Sequence, residues 1–230
     1  MKKEERTKHS SNPVFGPTTV YRTGGFFALL TVAAIILSII SFVFRPLFPE
    51  NILQLIYTNR LAGLLSLDIL YTVAVVFTLP LIIALFELLK KDDHSISLLA
   101  LVFGITGTVL LLTARPYSGM LAISESYHAA ASDTDKIFLQ TLSDITMEQF
   151  NGTMYKFHLL FGDISFLLFA ILMLRTRSFS RPAAVLGIIT NAIAFGMFIP
   201  VIGPFIGLFF LLGFIPWLIL ISLSLFRYRN

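Results

Sequence analysis

The sequence predicts an all-α fold: a polytopic membrane protein, a bundle of six transmembrane helices with an extracytoplasmic amphipathic helical segment between the third and fourth. Three observations predict it. The 230-residue chain is 56% hydrophobic and only 13% charged, where a soluble domain carries about 25% charged residues. Six segments hold the roughly 20 mostly apolar residues that a helix needs to cross a bilayer. The stretch 115–156 is too long to be a structureless loop in a compact protein and carries a helical pattern of its own.

Residues 1–22 hold five Lys or Arg, two Glu and several Ser, Thr and Pro, a composition expected for a disordered cytoplasmic tail. The remainder, 23–230, reads as a single six-helix domain. Its first span, about 24–45, has an apolar run longer than the 7–15 residues of a signal-peptide core, and no A-x-A pattern follows, so it is expected to be retained. Spans of about 64–89 and 96–114 follow, with Pro80 expected to kink the former. In the outer segment, "SDTDKIFLQTLSDITMEQF" opens on the capping residues Ser132 and Asp133. It then sets Ile137, Phe138, Leu142 and Ile145 at helical spacing, and Asn151-Gly152 ends the pattern. One or two amphipathic helices are expected there, over the outer ends of the bundle or in the headgroup plane. Spans of about 157–174, 182–200 and 205–226 complete the chain, the last kinked at Pro216.

Charge placement orients the bundle. Twelve Lys and Arg fall in the termini and the loops on their side, against Arg45, Arg60, Arg115, Lys136 and Lys156 on the other. Positive residues accumulate on the cytoplasmic side, so both termini are expected there, in a cell membrane. The chain has no Cys, which removes disulfides, thiolate metal sites and Cys nucleophiles. The modest net charge of +4 gives no reason to expect nucleic acid as a partner.

The blocks "SESYHAAASDTDK", "FNGTMYKFH", "MLRTRSFSRPAAVLGI" and "FIPVIG", with Trp217 shortly before a basic C-terminus, resemble a bacterial family of small multi-pass membrane proteins, domain of unknown function 4386. The resemblance runs from about Leu61 onward and is strongest from Ser124. It implies the fold and a membrane location, and no activity or catalytic residue comes with it. It draws attention to Ser126, Tyr127, Gly152 and Thr153 without assigning them roles.

Function has to be sought among the polar residues inside the apolar segments, because an ionisable side chain at the bilayer centre costs on the order of 2.5–3.5 kcal/mol and turns toward protein or water. Asp68 stands eight residues after Arg60, and Asp163 seven after Lys156. With both helices running inward from the outer face, the carboxylates are expected at one depth, roughly 10–12 Å below it. Tyr71 shares a helix face with Asp68. Arg115, at the outer end of a Gly104–Thr108–Leu111 stripe, is placed to pair with them, its planar fork suiting a carboxylate. His158 lies about 140° around its helix from Asp163 and is not expected to meet the same atom.

Asp68, Asp163, Arg115, Tyr71 and His158 are therefore the candidate ligand or ion site. They line an outward-facing polar pocket, serve as structural glue, or touch water at a thinned interface. Neither cofactor nor catalytic residue is implied, and no HExxH or HxxxH spacing marks a metal site. The leading expectation is a non-enzymatic bundle that binds, senses or passes a small cation, proton or amphiphile. A membrane-embedded enzyme acting on a lipid or amphiphile, and a purely structural subunit, are the alternatives.

Overall fold

The structure, a computed structural model, describes residues 17–44, 47–176, 178–199 and 201–228. Six helices in it are long and apolar enough to cross a membrane, and no strand occurs among the described residues. The spans are α1 (Pro17–Phe44), α4 (Ile69–Leu89), α5 (His94–Thr113), α8 (Thr153–Met173), α9 (Arg181–Ala194) with a 3-10 turn (Phe195–Phe198), and α10 (Gly203–Arg227). Four further helices lie at one end: α2 (Ile52–Thr58), α3 (Arg60–Ser66), α6 (Tyr117–Ala129) and α7 (Asp133–Phe150).

Local sequence starts several of these elements. The Asp93 side chain accepts the Ile96 amide at 3.0 Å at the head of α5, and Ser132 accepts the Asp135 amide at 3.1 Å at the head of α7. These caps satisfy amides that a helix leaves free at its N-terminus. Pro182, in the first turn of α9, fits where no intrahelical N–H bond is needed. Within the bilayer the regular helix is the way a segment satisfies its own backbone.

The spans form a ring in chain order. Each packs against its predecessor, α10 closes back onto α1, and α4 also touches α8 across the middle. Near the chain termini the closure is fixed by Ser222, whose hydroxyl donates to the Gly25 carbonyl at 2.7 Å, and by an edge-to-face contact of Tyr21 with Tyr228. Small residues permit the closest approaches. A Cβ on Gly107 would stand 3.2 Å from the Gly162 nitrogen and 3.3 Å from the His158 carbonyl, so α5 and α8 meet almost backbone to backbone. A Cβ on Gly187 would overlap the Trp217 indole and Ala170, so α9 seats the one tryptophan of the chain. The principal apolar core sits in the terminal half, around Leu81, Leu85, Phe169, Trp217 and Leu218.

A second apolar cluster, with Ile52, Leu53, Ile56, Met120, Ile123 and Phe150, binds these four helices into a cap. The Ser124 hydroxyl donates to the Leu53 carbonyl at 2.7 Å, tying α6 to α2. Helix α7 buries Ser143, Thr146 and Phe150 and exposes Ile137, Phe138 and Ile145. Its apolar stripe therefore faces away from the bundle.

Three expectations need correction. Helix α1 begins at Pro17, so residues 17–22 are helical rather than part of a disordered tail; residues 1–16 lie outside the described ones. The expected second span from 64 is broken, with α3 ending at Ser66 and α4 beginning at Ile69. Asp68 makes the break in a left-handed conformation, φ 60° and ψ 39°, a region that Asp tolerates better than most residues. Finally, the helical cap expected only between the third and fourth spans also takes in α2 and α3, from the connection before the second.

The glycine contacts give a paired prediction. Gly187→Ala loses about 1–3 kcal/mol by overpacking. Gly162→Ala, whose Cβ meets nothing within 4 Å, gains roughly 0.5–1 kcal/mol from helix propensity. Reversible unfolding in mixed micelles measures both, and a loss at Gly162 matching that at Gly187 contradicts the packing.

Candidate functional site

The ring surrounds a partly open cavity of about 200 Å³ in its cap-side half. Every span contributes to it, the fifth through Met197 of the 3-10 turn. Its walls are largely apolar, with Ile35, Ile82, Phe166, Phe210 and Phe214 among them. Between these stand Thr31, Ser38, Tyr71, Thr78, Thr108, His158 and Asp163.

A buried polar group must be hydrogen-bonded or it destabilises the fold. Six of those seven side chains meet that requirement within the protein. Thr31, Thr78 and Thr108 donate to carbonyls of their own helices, Phe27, Val75 and Gly104, at 2.9, 2.6 and 3.0 Å. Ser38 donates to the Asp68 carboxylate at 2.9 Å. His158 Nδ1 lies 2.9 Å from the Gly107 carbonyl and Nε2 lies 2.9 Å from the Tyr71 hydroxyl. A carbonyl only accepts, so Nδ1 carries the proton; bare Nε2 then accepts from Tyr71. Both ring nitrogens are thereby occupied.

Asp163 is the exception. It is 5% exposed, its Oδ2 is buried with no partner, and it has no ion pair among the described residues. Beside it Gly162 also lines the cavity and leaves the space above its Cα open.

Arg115 does not supply the expected counter-charge. It is buried, its Nη1 donates to the Phe150 carbonyl, and the guanidinium lies over the Phe150 and Tyr155 rings at 5.2 and 4.6 Å. It forms no ion pair with Asp68, Asp163 or any other described carboxylate. Aromatic faces attract the cation where a carboxylate was expected.

The two aspartates do not share a depth either. The Tyr71–His158 bond sets α4 and α8 in register, with Asp68 three residues capward of Tyr71 and Asp163 five residues inward of His158. At the α-helical rise the separation along the axis is on the order of 12 Å. Asp68 is absent from the cavity wall and reaches it only through Ser38. His158 and Asp163, expected to diverge, line the same cavity without bonding to each other.

The cavity also does not face outward through its cap end. Tyr71 and His158 are the first wall residues met on α4 and α8 from that side. Tyr155 packs on both at ring-centroid distances of 6.3 and 6.1 Å, with Arg115 behind it. Sequence reasoning found Asp163, Tyr71 and His158 but left Ser38 and Gly162 out of the candidate site. A polar residue inside the otherwise apolar "AAIILSII" was the available signal for Ser38, and the Gly-Asp pair for Gly162.

The fold and cavity define a polytopic α-helical membrane protein with a polar group held inside its bundle. The chain belongs to the family described as Domain of unknown function (DUF4386), which matches residues 23–226 and so reaches well upstream of Leu61. No curated protein and no solved structure matches it.

The tautomer yields a prediction. Ring ¹⁵N shifts assign a protonated Nδ1 and a bare Nε2 to His158, and Tyr71→Phe costs about 1–3 kcal/mol by orphaning that nitrogen. A cost near zero would show that the pair is not formed.

Proposed function

We propose that this protein is a non-enzymatic membrane bundle that binds a small ligand in its central cavity, with Asp163 as the recognition group. The observation that carries the reading is the unequal satisfaction of the polar wall: on it Asp163 alone has no partner among the described residues, and the other buried polar atoms left without one, such as Asn191 Oδ1 and Trp217 Nε1, lie off the cavity. A carboxyl kept for packing would have one, as Asp68 has Ser38. An unpaired buried polar group lowers stability by roughly 1–3 kcal/mol in proteins, and groups retained at such a cost concentrate where binding needs them. Tyr71, His158, Asp68 and Arg115 serve in this reading as the frame. Each is occupied by another protein group, and the two nitrogens of His158 leave none for a metal or a transferred proton.

We place the protein in a bacterial cytoplasmic membrane with both termini inside. Among the described residues, Arg22, Lys90, Lys91, Arg175, Arg181 and Arg227 lie at the terminal end and Arg60, Arg115, Lys136 and Lys156 at the cap end, the sense of the positive-inside bias. The cap is then outside, and the outward apolar stripe of α7 rests in the outer headgroup layer.

Opposite stability changes test the assignment of the two carboxylates. Asp163→Leu raises stability by about 1–3 kcal/mol, since it removes an unpaired polar group. Asp68→Ala lowers it by about 1–2 kcal/mol, since Ala is strained in the left-handed region and leaves Ser38 without its acceptor. Thermal unfolding of the purified full chain reads both. A comparable loss in both variants would make Asp163 a packing residue and end the binding reading.

A further inference from the structure

The cavity is closed at both ends and thin on one side. Toward the cap it stops at the Tyr71–His158 pair. Toward the termini it stops at Leu85, Phe169 and Trp217, all fully buried and one helical turn beyond the wall residues Ile82, Phe166 and Phe214. The side wall between α1 and α10 is different. Helix α1 has no buried residue after Ile35, and none of the described side chains of α10 is buried between Gly203 and Phe214. The adjoining 3-10 turn has none either. The two helices that Ser222 and Gly25 clamp together near the termini thus part in their cap-side halves.

Ile39 marks the parting: it lines the cavity and is also 39% exposed. The outer surface of α1 beside it is Ile36, Ile40 and Val43, and that of the capward half of α10 includes Leu208 and Phe209, all exposed and apolar. An opening framed this way gives onto hydrocarbon and not onto water. What passes through it must dissolve in the bilayer, fill an apolar space and satisfy one carboxyl.

From this geometry we infer that the cavity takes a membrane-dissolved amine with a compact apolar body, which enters from the bilayer between α1 and α10 and pairs with Asp163. The inference rests on the reading that the cavity binds a ligand. A protonated amine supplies both hydrogen-bond donors and the opposite charge, which a desolvated carboxylate requires. An anion would be repelled, and a bare metal ion would find one carboxyl where it needs several oxygen ligands. Size bounds the body, since an apolar cavity of about 150 Å³ accepts benzene. The present 200 Å³ accommodates such a ring with a short aminoalkyl arm.

The test uses the purified full chain in lipid nanodiscs, with 2-phenylethylamine as probe and 2-phenylethanol and propylbenzene as uncharged analogues of similar size. The amine binds saturably. Asp163→Asn and replacement of the amine by the alcohol each weaken binding by about tenfold or more, as loss of a charge-assisted bond requires. Gly162→Leu, which projects into the open space, abolishes binding of every probe while thermal unfolding verifies that it is folded. Val43→Trp places a ring on α1 one turn capward of Ile39, on the exposed surface and outside the cavity wall; it slows association and dissociation of the amine equally and leaves Kd unchanged. If an uncharged analogue binds as tightly as the amine and Gly162→Leu still expels it, the amine assignment is wrong while the cavity remains a binding site. Unchanged rates in Val43→Trp overturn the lateral route. If no probe binds the wild-type chain, the amine assignment and the binding reading fall together.

Discussion

Hydrogen-bond satisfaction without water is the constraint on which the rest of this structure depends. A helix inside hydrocarbon can neither hydrate a hydroxyl nor leave a carbonyl bare without destabilising itself. The spans answer it with bonds of two kinds. Threonines fold back on their own helices, as Thr31, Thr78 and Thr108 do. Serines and His158 reach across: Ser165 to the Ala100 carbonyl at 2.7 Å, Ser222 to Gly25 and His158 to Gly107. The second kind sets the register of the ring, because each bond fixes one helix against a particular carbonyl of the next. Single atoms such as Asn191 Oδ1 and Trp217 Nε1 stay unpartnered within the packing, but Asp163 is the one unpartnered carboxyl among the described residues and the one such group on the cavity wall.

Close packing and the cavity are two sides of one arrangement. Glycines on α5 bring α5 and α8 nearly into backbone contact, which turns His158 toward Gly107 and Tyr71. The resulting layer of Tyr71, His158, Tyr155 and Arg115 covers the space below it. Gly162 on the same helix faces no neighbour, so a glycine that elsewhere would tighten the bundle here leaves room. Helices α1 and α10, by contrast, are held only near the termini, and their free halves give the enclosed space its lateral wall.

Much of the frame was legible from composition and charge. Six long apolar runs admit few alternatives to six spans, and the Ser132 cap with the Ile137–Ile145 spacing marked α7. The break at Asp68 was not legible, because "LAGLLSLDILYTVAVV" is apolar on both sides of it and hydropathy does not register one left-handed residue. Continuing the helix through that residue put Asp68 at the depth of Asp163. Arg115 was misjudged for a related reason: complementary charge is visible in a sequence, whereas the Phe150 and Tyr155 rings that hold the guanidinium come together only in three dimensions. The emptiness beside Gly162 is a property of packing and has no signature of its own in the chain.

An experimental density map of the full chain purified from its native membrane, at a resolution that shows side chains, tests the central claim most directly. The account predicts non-protein density in the cavity, in contact with the Asp163 carboxyl, while His158 keeps its bonds to Tyr71 and Gly107. A collapsed cavity, with Asp163 hydrogen-bonded to a protein side chain, would contradict it.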